Sequence, residues 1–422
     1  MPASADFLQR LERRLPGIVD EFGTSFHIYD EAGLIRNVER FAAAFREVEF
    51  REFFPVKALP NPHMLRRIFA TGAGFDCSSL PELAIAKMSG AAGRDVMFTS
   101  NNTSRDELRA AIDTGAILNL DDICLLAKLE ECPPLLSFRY NPGSIEIGAG
   151  GYLGQPELAK FGVPKPQLRE AYLSAARMGA VEFGIHGMFA SNQLDCDHAV
   201  AAAEVLIETA SQLSRELGLR FAFVNLGGGL GIPYHPDERP FDLATYAERV
   251  RDSLARSFTT FGLQSPRIYM ECGRYVASPH GVLVTRAINI MRKWRMFVGV
   301  DASMPALMRP GMYGAYHHIT VAGGDHRPLE IVDVVGSLCE NNDKFAVQRL
   351  LPRVVEGDLL VIHDTGGHGH SMGFNYNGRL RPKELVLHAD DTVELIRREE
   401  TTADYCRTLV PEPDAQHVGG ER

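Results

Sequence analysis

Phe53-Phe54-Pro55-Val56-Lys57-Ala58 is a short apolar run of β-forming residues that ends on a lysine, and seven similar runs follow it at 75–79, 96–100, 117–121, 135–140, 184–189, 223–228 and 268–273. Between them lie stretches with apolar residues at helical spacing, including 64–71, 82–88, 105–114, 195–217 and 244–261. Strands alternating with helices signal parallel βα units, and eight such units over this length predict an α/β fold built on a closed (β/α)8 barrel rather than an open doubly wound sheet. After Tyr275 the texture changes to strand-like runs without intervening helices, at 282–289, 297–301, 319–322, 329–335, 359–363 and 384–387, which predicts a C-terminal all-β domain. The early run Phe26–Tyr29 is expected to pair with that domain. The expected organisation is residues 1–30 as an N-terminal segment joining the β domain, 31–275 as the barrel, 276–410 as the β domain and 411–422 as a disordered tail.

The chain has 422 residues, 45% of them apolar, and a formal net charge of −10, enough length for two domains and a sizeable core. Its apolar runs fall far short of the roughly 20 residues that span a bilayer. The first residues lack the apolar stretch of a secretory signal, so a cytoplasmic location is expected. Seven cysteines without a CxxC pair suggest neither a disulfide framework nor a zinc site, and no metal is expected. An acidic balance without a basic, aromatic-interleaved patch argues against nucleic acid as a partner. A small-molecule ligand remains.

In a (β/α)8 barrel the working residues stand at the C-terminal ends of the strands, and here those ends are polar. Lys57 follows an apolar run where its amine would face the barrel mouth. Burial would depress its pKa and make it an imine-forming nucleophile, although a lysine in this position also suits a snorkelling surface side chain. The seventh run leads into Asn225-Leu-Gly227-Gly228-Gly229-Leu-Gly231, whose bare backbone can approach a phosphate, the ligand that late barrel strands commonly bind. The eighth leads into Glu271-Cys-Gly-Arg274, a carboxylate and a guanidinium at one rim.

With Pro55-Val-Lys57-Ala, Phe75-Asp76-Cys-Ser-Ser, the glycine run through Tyr234, and Glu271-Cys-Gly-Arg274 go Gly336-Ser-Leu-Cys339-Glu340 and Asn375-Tyr376-Asn377. This set, in this order from about Phe26 to Leu409, resembles the fold-type III pyridoxal phosphate decarboxylases. These are the alanine racemase-like barrel enzymes that include diaminopimelate, ornithine and arginine decarboxylases. The resemblance implies pyridoxal 5'-phosphate as cofactor, held as an imine by Lys57. It implies Gly227, Gly228, Gly229, Ser191 and Arg274 around the phosphate, Glu271 at the pyridine nitrogen, Asp76 beside the lysine, and His186, His368 and Tyr376 as further cofactor contacts. It also implies a homodimer in which Cys339 reaches the partner's site and returns a proton to the substrate. A thiol with a reference pKa near 8.5 suits that donor role at neutral pH.

Met308-Arg309-Pro-Gly-Met-Tyr313 resembles the segment with which diaminopimelate decarboxylases hold a distal carboxylate, so Arg309 and Tyr313, with Arg274, Glu340 and His368, are the expected substrate contacts. A guanidinium suits a carboxylate and would repel the distal ammonium of ornithine; Glu340 would take the ammonium that accompanies the carboxylate in meso-diaminopimelate. The product would be L-lysine. The chain departs from the family at Met188, which stands where a histidine usually stacks on the cofactor ring, and at His368, which replaces a tyrosine. Two other readings stay open: a decarboxylase of another amino acid in a specialised pathway, and a non-catalytic pyridoxal phosphate-binding regulator. A racemase fits less well, because the Cys-Glu pair stands where that enzyme has a catalytic tyrosine.

Overall fold

The structure, a computed structural model, describes residues 3–144, 146–147, 151–152 and 158–410. The expected disordered tail at 411–422 lies outside them. The chain opens with helix α1 (Ala5–Phe22), strand β1 (Phe26–Asp30) and helix α2 (Glu31–Ala44). Strand β2 (Phe50–Pro55), helix α3 (Pro62–Phe69), and strands β3 (Gly74–Cys77), β4 (Val96–Phe98), β5 (Ile117–Leu120), β6 (Leu135–Asn141), β7 (Glu182–His186), β8 (Phe221–Asn225) and β9 (Arg267–Met270) follow. Strands β2 to β9 pair in parallel in chain order, β9 pairs with β2 and β6 with β7, and the ring closes as the sequence predicts.

Side chains alternate across a strand, so every second residue fills the barrel interior. Phe53, Met97, Ile117, Leu135, Phe223 and Tyr269 form one buried cluster there, with Phe223 stacked on Tyr269 at 4.6 Å between ring centres. Gly74 and Gly184 leave the room these rings need: a Cβ on Gly74 would lie 2.8 Å from the Phe53 ring, and one on Gly184 would strike the ring of Phe223. The interior below the mouth is therefore a packed apolar plug, and the polar residues sit above it.

The second sheet contains β10 (Gly281–Arg292), β11 (Met296–Val300), β12 (Ile319–Val321), β13 (Leu329–Val335), β14 (Lys344–Pro352), β15 (Leu359–Ile362), β16 (Lys383–Leu387) and β17 (Val393–Arg397). Strand β1 lies inside it, antiparallel to β10 and parallel to β16, as expected for the early run. Strands β14 and β17 are additional to the sequence reading. Helix α1 covers this sheet with Phe7, Leu11, Leu15 and Ile18, spaced to share one helical face, against Phe26, Ile28, Val282 and Leu385. Among the described residues no helix is long and apolar enough to cross a membrane.

Candidate active site at the barrel mouth

Strand β2 stops at Pro55, two residues earlier than Lys57, because the chain leaves the ladder there and closes a 3₁₀ turn, Val56–Ala58, with Leu59 N–H donating to Val56 C=O. Lys57 thus projects from a rim turn, 53% exposed, with Nζ 3.7 Å from Oδ2 of the fully buried Asp76 on β3. Partial burial works against its ammonium, but the carboxylates of Asp76, Glu271 and Glu82 outweigh it, and the Lys57 pKa lies above its ordinary value. The expectation of a depressed amine is corrected here: the mouth holds too much negative charge for it. Asp76 answers in the same sense. Burial, reinforced by Glu271, pushes its carboxyl up to about 8 despite Lys57, and neither oxygen has a hydrogen-bond partner among the described residues.

Glu271 follows directly on β9 and is 8% exposed. Its Oε1 accepts from Asn225 Nδ2 at 2.8 Å, and its Oε2 lies 3.5 Å from Nε2 of His186, the last residue of β7. Burial disfavours its charge, yet His186, Lys57 and Asn225 together bring its pKa down to about 2. The Asn225 amide also accepts Gly227 N–H at 2.8 Å, so one side chain fixes both the carboxylate and the start of the glycine run. That run packs on the loop after β7. A Cβ on Gly227 would strike the carbonyl of Gly187, one on Gly228 that of Glu271, and one on Gly229, at φ +96°, would lie 2.5 Å from Ala190 C=O. Met188 lies there too, its Sδ accepting Gly228 N–H at 3.3 Å.

Arg274 donates to Tyr234 Oη at 2.8 Å and reaches Ser191 Oγ at 3.4 Å. Arg309, only 6% exposed, stacks on the same tyrosine with its guanidinium carbon 4.7 Å from the ring centre. Its Nη1 donates to His317 Nε2 at 2.8 Å, and His317 Nδ1–H in turn donates to His363 C=O. That pattern requires a neutral imidazole, and burial with Arg309 lowers the His317 pKa to about 3. Among the described residues no carboxylate lies within ion-pair distance of Arg274 or Arg309. His368, whose N–H donates to Ala58 C=O at 2.9 Å, is brought beside Lys57. Burial, with Arg274, Lys57 and Arg309, lowers its pKa to about 3, so it is a neutral donor rather than a cation.

Cys339, Glu340 and Tyr376 stand apart from this group. Cys339 is exposed on the loop between β13 and β14, its N–H donating to Asn377 Oδ1 at 2.8 Å beside Tyr376, which is 52% exposed. Glu340 Oε1 accepts from Asn342 N–H. Among the described residues no hydrogen bond or ion pair joins these three to Lys57 or Arg274. Tyr313 is exposed on the short helix Arg309–Tyr313, four residues from Arg309 and on the same side of it.

Several residues that shape the mouth escaped the sequence reading. Asn225 and Tyr234 lie within the quoted motif but carry no obvious chemistry as letters. Glu52, a lone acid inside a strand-like run, accepts Cys272 N–H at 2.6 Å and holds the turn after Glu271. Asp343 accepts Leu338 N–H and Met304 N–H, both at 2.7 Å, and shapes the loop that presents Cys339. A charge in an otherwise apolar strand was the available signal for Glu52 and for Arg139 on β6, whose guanidinium lies 3.9 Å from Asp121.

The donor set fits pyridoxal 5'-phosphate. Glu271 is a buried anion that suits a protonated pyridine nitrogen, Arg274 and Ser191 offer donors to an anion beside a glycine run whose Gly227 and Gly228 N–H groups are engaged by Asn225 and Met188, and Lys57 is an amine accessible from the mouth. The comparisons agree. Residues 31–278 match the pyridoxal-binding domain of the pyridoxal-dependent decarboxylases, and residues 274–366 match their C-terminal sheet domain. The chain is 46% identical to Protein TabA of Pseudomonas amygdali pv. tabaci over 98% of this chain and 97% of that protein. It is 37% identical to the diaminopimelate decarboxylase of Methanothermobacter thermautotrophicus over 92% of each. The crystal structure of the diaminopimelate decarboxylase of M. jannaschii in complex with L-lysine superposes with a TM-score of 0.85 at 29% identity, covering 94% of each chain. The chain belongs to the pyridoxal-dependent decarboxylases.

Proposed function

We propose that this chain removes one carboxylate of meso-diaminopimelate as CO2 and yields L-lysine, in the cytoplasm, as a homodimer with shared sites. The observation that carries the substrate is Arg309: a buried guanidinium stacked on Tyr234 beside Arg274, with no carboxylate partner among the described residues. A buried cation without a counter-ion is costly, and a carboxylate from the substrate would relieve that cost. Arg274 has the phosphate to serve through Ser191, which leaves Arg309, with Tyr313 four residues on, for the substrate's far end.

Pyridoxal phosphate, when bound, supplies the electron sink that lets the bond between Cα and the carboxylate break. Lys57 would hold the cofactor, Asp76 at 3.7 Å is placed to exchange a proton with the lysine amine, and the Glu271 carboxylate would support a protonated pyridine nitrogen by remaining an anion. Neutral His368 donates a hydrogen bond without adding charge. The bonding pair released when CO2 departs would be taken up by that sink, and the Cys339 thiol of a second copy would deliver the proton that forms the new Cα–H bond, solvent reprotonating the thiolate. Glu340, next to Cys339 on the same exposed loop, takes the distal ammonium. The exposure of that loop, away from the chain's own Lys57, is what supports a contribution in trans.

A second reading has one observation in its favour. The identity to Protein TabA, at 46%, exceeds the 37% to the Methanothermobacter diaminopimelate decarboxylase, and a relative of different name suits a decarboxylase for another amino acid with an acidic tail. The test is Arg309→Ala. With meso-diaminopimelate kcat/KM should fall by about 3 kcal/mol, roughly a hundredfold, because a buried charge-assisted pair is lost. Residual turnover of lysine, which has no distal carboxylate, should not fall in parallel. Equal losses for both substrates would mean that Arg309 does not contact the distal carboxylate.

A further inference from the structure

Away from the barrel mouth, two histidines and two glutamates meet where the barrel helices face the second sheet. Glu31 opens α2 and His63 lies in the first turn of α3, while His388 stands just after β16 and Glu394 lies on β17. His388 Nδ1 is 2.9 Å from Glu31 and its Nε2 is 3.3 Å from Glu394. The His63 ring lies between the same two carboxylates, with Nδ1 3.7 Å from Glu394 and Nε2 3.7 Å from Glu31. Both imidazoles are mostly buried, at 19% exposure each.

The two sides of this cluster differ. On one side Arg67 already neutralises Glu31, with Nε 2.8 Å from Oε1. On the other, no cation of the described residues lies within ion-pair distance of Glu394 apart from the two imidazoles. His63, His388 and Glu394 each offer a ligand atom, all within 4.8 Å of one another. Four-coordinate zinc with bonds of about 2.0–2.1 Å sets its ligand atoms roughly 3.3 Å apart, so small rotations of the side chains close the set.

We propose that His63, His388 and Glu394 form a zinc-type metal site that clamps the barrel to the second sheet. Imidazole nitrogen and carboxylate oxygen are the donors that borderline dications such as Zn2+ prefer, and the fourth position falls to water. Glu31 completes the arrangement from outside. Its Oε2 lies 2.9 Å from Nδ1 of His388 and would keep the Nδ1–H there when the ion is bound, while Nε2, 3.3 Å from Glu394, gives up its proton to the incoming metal. The buried Nε2 of His63, which has no hydrogen-bond partner, closes on the Oε1 side. The backbone that carries His388 is held in place by Arg10, which hydrogen-bonds His388 C=O and pairs with Asp30 and with Asp391. His63 on α3 is remote in sequence from His388 and Glu394, which share the β16–β17 hairpin, so metal binding joins a barrel helix to the second sheet.

The experiment uses the holoenzyme, stripped with EDTA and dialysed into phosphate-free buffer, and ZnCl2 as the probe. Calorimetric titration should find one tight equivalent per chain, with a rise in the thermal midpoint on addition of Zn2+. Co2+ in its place should give the intense visible bands of a tetrahedral site. Removing an outer partner of a metal ligand costs about 10–100-fold in affinity, so His63→Gln and Glu394→Gln, each deleting a ligand, should lose more than that and abolish the thermal shift. Glu394 is half exposed, so its variant should fold, and circular dichroism checks that. The proposal is overturned if the parent takes up no Zn2+, or if the parent and the folded Glu394→Gln protein bind Zn2+ alike.

Discussion

Lys57 and Asp76 face each other at 3.7 Å above an apolar plug, and their charges cannot be read from either residue alone. Burial would strip the lysine of its proton, but the carboxylates around it hold that proton on, while burial, reinforced by Glu271, makes Asp76 reluctant to ionise. A proton exchanged across this contact is what a lysine needs when it must release and recapture a carbonyl group. Borohydride reduction of the cofactor-loaded protein, followed by peptide mass mapping, should fix the pyridoxyl mass on Lys57 alone, and Lys57→Ala should form no reducible adduct. An adduct on another lysine in that variant would remove Lys57 from the role.

At the scale of elements, the barrel assembles its site from turns rather than from strand interiors. Lys57, Glu271 and the glycine run all follow immediately after a strand ends, where the backbone is free of the ladder but still anchored by it. Gly229 carries the strongest local requirement. Its φ of +96° is disfavoured for any residue with a Cβ, and the added atom would lie 2.5 Å from Ala190 C=O. A left-handed backbone alone costs about 1–2 kcal/mol, so Gly229→Ala should displace the loop after β7. Cofactor affinity should then weaken about tenfold or more, measured by absorbance titration of the stripped protein. Unchanged affinity would place the phosphate elsewhere. The eight barrel strands were legible because their apolar runs are short, bounded and regularly spaced. Strand β14 was not, since Gln348 sits at φ +47° in a bulged ladder and breaks the alternation, and β17 was hidden by its mixture of Val, Glu, Leu, Ile and Arg, which makes no apolar run. Helix α1 was obscured by Pro16. The motif residues at the mouth were legible through their order. Glu52, Asp343 and His317 were not, because each acts through a backbone group or a neighbour that only the folded chain brings near.

At the scale of the whole molecule, the chain divides the proposed chemistry between two surfaces. The barrel mouth carries Lys57, Glu271, Arg274 and Ser191, while Cys339, Glu340 and Tyr376 stand exposed on loops of the other domain. If one reaction needs both, two copies must exchange them, and a two-fold dimer would build two such sites. Lys57→Ala and Cys339→Ala should each be inactive alone, yet mixing them under conditions of subunit exchange should restore up to about a quarter of parental activity, because random pairing makes half of the dimers mixed and each mixed dimer holds one intact site of two. No recovery with exchange demonstrated would place the proton donor within the chain that carries the lysine.

The central claim concerns what enters the mouth, and product analysis tests it most directly. The cofactor-loaded protein should be incubated separately with meso-diaminopimelate, lysine, ornithine, arginine and glutamate, with CO2 and amine products measured for each. The account predicts that meso-diaminopimelate gives CO2 and L-lysine in equal amounts, and that the other four react far more slowly. Turnover of ornithine or arginine in preference to meso-diaminopimelate, or no CO2 from it at all, would contradict the account.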